Sequence, residues 1–137
     1  MNNINFRSSC PISSALDIIG DKWSLLVLRD IMFFGKKTFT EFADSPEKIA
    51  TNILSDRLSN LEKSGIISKG KLPHNKKTNI YSVTDKGILF LPVLVEIILW
   101  SDENLSDQIT IDTKKLAQEI RSDKDSFITL MHAKLTH

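Results

Sequence analysis

At 137 residues the chain has the length of one ordinary domain with a real core. Hydrophobic residues at 41% and charged residues at 26% exclude a disordered or fibrous protein. The net charge is only +1, yet twelve basic residues meet seven acidic ones between Lys22 and Gly87, while five meet seven from Asp102 onward. A basic middle with an acidic tail suits a polyanion-binding core carrying an added element.

The N-terminal "MNNINFRSSC" lacks the apolar stretch of a signal peptide, and its Cys10 is the only cysteine. The longest apolar run, Ile88 to Trp100, is interrupted by Pro92 and Glu96 and falls short of the ~20 residues a membrane span needs. The expectation is therefore a cytoplasmic protein with no membrane association and no internal disulfide. After Cys10, "PISSALDIIG" reads as a short amphipathic helix. Asp21 is placed to cap a second one, "KWSLLVLRDIMF", whose apolar residues fall mostly at helical spacing and which Gly35 ends.

Thr38 and Glu41 then stand at capping-box spacing at the start of "TFTEF", with Phe39 and Phe42 facing inward, and Pro46 keeps this helix short. "IATNILSDRLSNLEKSG" has a clear apolar stripe of Ile53, Leu54, Leu58 and Leu61, and Gly65 supplies its stop. Its outer face carries short hydrogen-bonding side chains in place of the Glu/Lys mixture of an ordinary solvated helix. Beyond it, "IISKGKL" and "NIYSVT" read as strands joined by the basic turn "PHNKKT". Thr84 caps a last long helix, apolar on more than one face and expected to kink at Pro92; burial on two sides there implies a subunit interface. Two further amphipathic segments begin at Asp112 and Ser126.

Helix, short helix, turn, polar-faced helix, basic hairpin, helix is the order of a winged helix-turn-helix: an α+β fold, mostly helical. The major groove admits one helix, whose outer face must offer donors and acceptors to base edges. Thr51, Asn52, Ser55, Asp56 and Arg57 are the candidates on that face. Asn can pair with adenine and Arg with guanine, whereas Asp56 orients Arg57 or accepts from cytosine. His74, Asn75, Lys76 and Lys77 form the wing, and Lys36, Lys37 and Thr38 are placed to meet phosphates. Trp23 and Trp100 read as core or interface aromatics. His74, His132 and His137 lack metal-ligand spacing, and neither a phosphate loop, a nucleophile elbow nor paired catalytic carboxylates is present. The reading is thus of a protein that is not an enzyme and takes no cofactor. The alternative is a winged-helix interaction module without specific DNA binding, which would be expected to carry an acidic or apolar third helix and wing.

The stretches "CPISSALDIIGDKWSLLVLRDIMFFGKKTFTEF", "IATNILSDRLSNLEKSGII" and "YSVTDKGILFLPVLVEIILW" closely resemble the HxlR-type winged-helix transcriptional regulators, relatives of the MarR group. The resemblance runs from about Cys10 to about Leu105. It implies a domain over 10–108 and a C-terminal helical extension over 109–137 serving dimerisation. It further implies a homodimer built through N- and C-terminal helices, bound to a pseudo-palindromic double-stranded DNA operator, with repression as the expected outcome. The wing departs from the family in being more polar and cationic. A cysteine at the position of Cys10 serves some members as a redox or electrophile sensor and has no such role in many others, so Cys10 is a candidate site for a small-molecule or electrophile inducer, the alternative being a structural residue at the helix start. With no second cysteine, only single-thiol routes are open.

Overall fold

The computed structural model describes residues 4–136. The backbone forms two compact units, one up to Gly87 and one from Ile88 onward.

The first unit begins with α1 (Pro11–Ile19), which Pro11 opens at a position where its missing N–H costs nothing. In α2 (Ser24–Phe34) the cap position falls to Trp23 and not to Asp21 as expected, because the helix starts two residues later; the Asp21 carboxylate still holds the start, accepting from the backbone N–H of Trp23 and Ser24 at 2.8 and 2.9 Å. Gly35 ends the helix in the left-handed region at φ 67°, as its place in the sequence predicts. The short α3 (Phe39–Ala43) carries the full capping box of Thr38 and Glu41. Helix α4 (Thr51–Lys63) stops where Gly65 adopts φ 77°, so that Ile66 N–H can donate back to the Leu61 carbonyl at 2.9 Å.

Strands β1 (Ile67–Leu72) and β2 (Asn75–Val83) make one antiparallel hairpin, in register from Ile67 opposite Val83 to Lys71 opposite Asn79. Leu72 then pairs with Asn75, so β2 bulges between Asn75 and Asn79. The turn is therefore tighter than "PHNKKT" suggests: Lys76 and Lys77 belong to β2. The Tyr81 N–H donates to the Lys37 carbonyl at 2.7 Å, tying the α2–α3 turn to the outer edge of β2.

The core of this unit takes Val27, Leu28, Ile31 and Met32 from α2, Phe42 from α3, and Leu54, Leu58 and Leu61 from α4. The faces that periodicity marks as apolar are largely the buried ones, but Trp23, Leu26, Phe39 and Ile53 are only partly covered and Phe34, at the end of α2, is exposed. Phe42 meets Tyr81 edge-on at 5.9 Å between ring centres, which locks the helices onto the wing's base.

Between hairpin and C-terminal helices the chain uses Thr84. Its hydroxyl reaches the carbonyls of Gly65 and Ile66 at 2.6 and 2.9 Å and accepts from Gly87 N–H at 3.0 Å. This starts α5 (Asp85–Ile88). The single kinked helix expected from Thr84 onward is not formed. The chain breaks after Ile88, and α6 (Leu91–Asn104) starts afresh with Pro92 in its first turn. A proline there forfeits no hydrogen bond, whereas in a continuous helix it would remove one and crowd the carbonyl four residues back.

In the second unit α7 (Ile111–Ser122) and α8 (Lys124–Leu135) pack with α6. Thr110 and Asp123 cap them through the N–H groups of Thr113 and Ser126. Arg121 reaches Asp102 and the Leu99 carbonyl, and Lys124 reaches Glu96 at 2.8 Å, joining both added helices to α6. Leu91, Leu94 and Val95 are buried, yet the opposite face of α6 leaves Val93, Ile97 and Trp100 exposed along an open groove. No helix among the described residues is long and apolar enough to cross a membrane.

Candidate nucleic-acid interface

Helices α3 and α4, with the loop between them, form the helix-turn-helix of the first unit. That loop is anchored from α2: Arg29 makes a bidentate pair with Glu47 at 2.7 and 3.0 Å and also bonds the buried Asp30 at 2.9 Å. The hydrogen bond from Arg29 holds the Glu47 carboxyl below the ordinary carboxylate range, and the Arg29 guanidinium is correspondingly raised, chiefly by Glu47. Charge assistance of this kind strengthens the tie between that loop and α2.

On α4, Thr51, Asn52, Ser55 and Asp56 are exposed together, and the first three make no side-chain hydrogen bond among the described residues. Ala50 at the helix start offers no side-chain cap either, so the first backbone N–H groups of α4 remain available to an anion. Arg57 lies differently. Its Nε is 3.2 Å from Asp21 Oδ1 and its Nη1 donates to Asp56 at 2.9 Å, which turns the guanidinium toward the α1–α2 loop. Asp56 thus orients Arg57, one of the two roles its charge suggests, and also accepts from Asn60 at 3.3 Å. Sequence alone could not place Arg57 this way, because the residue that turns it stands on another element. Burial opposes ionisation of Asp21, but the Ser24 hydroxyl, the Trp23 and Ser24 N–H groups and Arg57 outweigh it and hold the carboxyl low.

The three residues expected to meet phosphates are not equivalent. The Lys36 ammonium is directed inward, 3.6 Å from Asp30 and 3.3 Å from the Asp44 carbonyl. Thr38 is engaged in its capping box: Glu41 N–H donates to its hydroxyl at 3.2 Å, and its own N–H donates to Glu41 at 3.0 Å. The N–H of Lys37 also donates to that carboxylate, at 2.8 Å. These backbone bonds, Lys37 first, hold Glu41 below its ordinary value and close the start of α3 to an external anion. Only the Lys37 side chain stays exposed there. At the wing, His74, Asn75, Lys76 and Lys77 are all exposed, and Asn75 braces the bulge through Thr78 and the Lys77 N–H.

Cys10 is exposed at the N-terminal boundary of α1; its N–H donates to the Ser8 hydroxyl at 3.2 Å and its carbonyl accepts from Ser14 at 2.9 Å. Arg7 is paired with Asp17 at 2.5 Å.

Residues 18–109 match the profile of the HxlR-like helix-turn-helix family. The chain is 31% identical over 101 residues to the uncharacterized HTH-type transcriptional regulator YvaP of Bacillus subtilis, spanning 73% of this chain and 93% of that protein. It is 30% identical over 98 residues to the HTH-type transcriptional regulator YodB of the same organism, spanning 71% of this chain and 87% of YodB. The oxidized redox regulator HypR superposes with a TM-score of 0.62 at 31% identity, over 69% of this chain and 97% of HypR. Structures of YodB in reduced, diamide-treated and quinone-bound forms have the same fold.

Proposed function

This chain belongs to the HxlR-like helix-turn-helix family, and from that premise we propose that it is a transcriptional regulator that binds a specific double-stranded DNA operator as a homodimer. The observation that carries this reading is the free, short-chained polar face of α4, with Thr51, Asn52 and Ser55 exposed together beside an uncapped helix start. Such a face suits base edges in the major groove, and the free N–H groups at its end suit a phosphate. Lys37, His74, Lys76 and Lys77 flank it as sequence-independent contacts to the backbone. Arg57 joins the base contacts on leaving Asp21. An interaction module would need an apolar or acidic α4 and wing, which this chain does not have.

The exposed stripe of Val93, Ile97 and Trp100 on α6 is the surface through which two copies pair; 59% of Trp100 is open to solvent. The extension over 109–137 adds α7 and α8 to that pairing element. Two copies then set two α4 helices about one DNA turn (~34 Å) apart on a pseudo-palindrome. Binding there excludes polymerase, which makes the protein a repressor acting in the cytoplasm. Cys10 is the proposed sensor: the thiol is exposed at a helix start, and the related HypR is described as a redox regulator. With one cysteine in the chain no intrachain disulfide can form, so it acts by alkylation, by capping with a small thiol or by a disulfide between the two copies.

Selecting bound sequences from a random DNA pool tests this. A recovered motif with two-fold symmetry supports the reading; recovery of no motif at any salt concentration favours the interaction module.

A further inference from the structure

A cavity of about 650 Å³ opens beside α1, the α1–α2 loop and the later turns of α4. That volume lies within the range of small-molecule sites, roughly 300–1,000 Å³. Its apolar wall is aliphatic, made by Ile4, Leu16 and Ile18, and holds no aromatic ring. Its charged wall is made by Asp17, Asp21, Arg57 and Lys63.

The two signs are not equally occupied. Asp17 accepts from the Arg7 N–H at 3.1 Å and from Arg7 Nε at 2.5 Å. Asp21 accepts from the N–H groups of Trp23 and Ser24 and from the Ser24 hydroxyl at 2.5 Å. Both carboxylates are therefore served from within the protein. The cations are less fully served. Arg57 donates through Nη1 to Asp56 and lies beside Asp21, but its buried Nε makes no aligned hydrogen bond; Lys63 makes no ion pair among the described residues. The cavity thus offers one unpaired cation and one unused guanidinium donor beside a hydrocarbon wall, which is the complement of an amphipathic acid.

We propose that this cavity is an effector site for a small aliphatic carboxylate, with the acid group at Lys63 and Arg57 and the hydrocarbon against Ile4, Leu16 and Ile18. An acid held there keeps Arg57 turned inward. Because Arg57 contributes to DNA binding only when it leaves Asp21, acid and operator compete, and each weakens the other by the same factor. This second half rests on the DNA-binding reading above; occupancy of the cavity does not.

The test is calorimetric titration of the full chain with hexanoate, with hexanamide as the uncharged control and Lys63→Gln as the variant. Lys63 is exposed in the last turn of α4, so the substitution leaves the fold intact, which circular dichroism checks. Hexanoate is expected to bind saturably, with hexanamide and the Lys63→Gln variant each roughly tenfold weaker or more. Operator affinity should fall when wild type is saturated with hexanoate and hold in Lys63→Gln. Absence of saturable binding at millimolar hexanoate, or equal binding of hexanamide, overturns the site. Saturable binding with operator affinity unchanged overturns the hold on Arg57. A chain that binds no DNA under any condition refutes the proposed function, while the calorimetry still decides the cavity.

Discussion

The guanidinium of Arg57 on α4 lies 3.2 Å from the carboxylate of Asp21 in the α1–α2 loop. One residue thus joins α4 to the segment that holds the start of α2, since the same carboxylate receives the Trp23 and Ser24 N–H groups. Removing the cap and removing the charge are separable. Asp21→Ala should cost about 1–2 kcal/mol by denaturant unfolding, the usual loss for a helix cap. Asp21→Asn keeps an oxygen for the cap but not the charge, so it should cost less and, by freeing Arg57, raise operator affinity in fluorescence anisotropy. Equal loss of stability in both variants would show that the charge pair, not the cap, matters.

The pair between Arg29 and Glu47 gives a pH dependence with a definite sign. Glu47 is held below its ordinary value of 4.5 in the folded chain, so the unfolded chain binds the proton more readily. Its contribution is therefore present above about pH 4.5 and is lost as the pH falls through the lower, folded value. Both side chains are partly exposed, 21% for Arg29 and 35% for Glu47, so the pair contributes only about 1 kcal/mol. Glu47→Gln should accordingly destabilise at neutral pH and shrink the difference in unfolding free energy between pH 7 and pH 4. An unchanged difference contradicts the assignment.

Gly87 lies where a β-carbon would run into the Ile66 carbonyl and the Val83 side chain, whereas Gly70 on β1 has open space around it. Gly87→Ala should lose about 1–3 kcal/mol, the range for overpacking. Gly70→Ala should be nearly neutral. Thermal unfolding of the two variants side by side checks this, and equal midpoints would contradict it.

How much of this was legible in the sequence depended on how far apart the interacting residues stand. Thr38 and Glu41, Gly35 and Gly65 act within one turn of themselves, and each forms the feature its spacing predicts. The stripe of Ile53, Leu54, Leu58 and Leu61 is likewise local; its three leucines are buried and Ile53 is partly covered. Around Pro92 the apolar pattern runs on through Ile88 to Leu99 and hides a break: the proline opens a new helix where a kink in a single one is expected, a choice that hydrophobic spacing does not encode. Lys36 and Arg57 look like free cations in the sequence because their partners, Asp30 and Asp21, are brought to them by tertiary structure. The side chains of Thr51, Asn52 and Ser55, which need only to be left alone, are where the pattern puts them.

At the wing, Lys76→Ala with Lys77→Ala should weaken operator and unrelated DNA alike and reduce the slope of log affinity against log salt by about 1–2. A loss confined to the operator would instead make these lysines readers of sequence.

Exposure of Cys10 makes its role testable without ambiguity. Diamide with a small thiol should release wild type from DNA and leave Cys10→Ser bound, as followed by gel shift. Equal release of both proteins rules the switch out.

Operator recognition rests most heavily on the free polar face of α4, and Asn52→Ala probes it directly. Affinity of wild type and variant should be measured by anisotropy, at one stated salt concentration, for the selected operator and for a scrambled duplex. Wild type should prefer the operator by about a thousandfold or more, and the variant should lose about 1–3 kcal/mol on the operator alone. Equal affinity of wild type for both duplexes, or an equal loss by the variant on both, contradicts that role of α4.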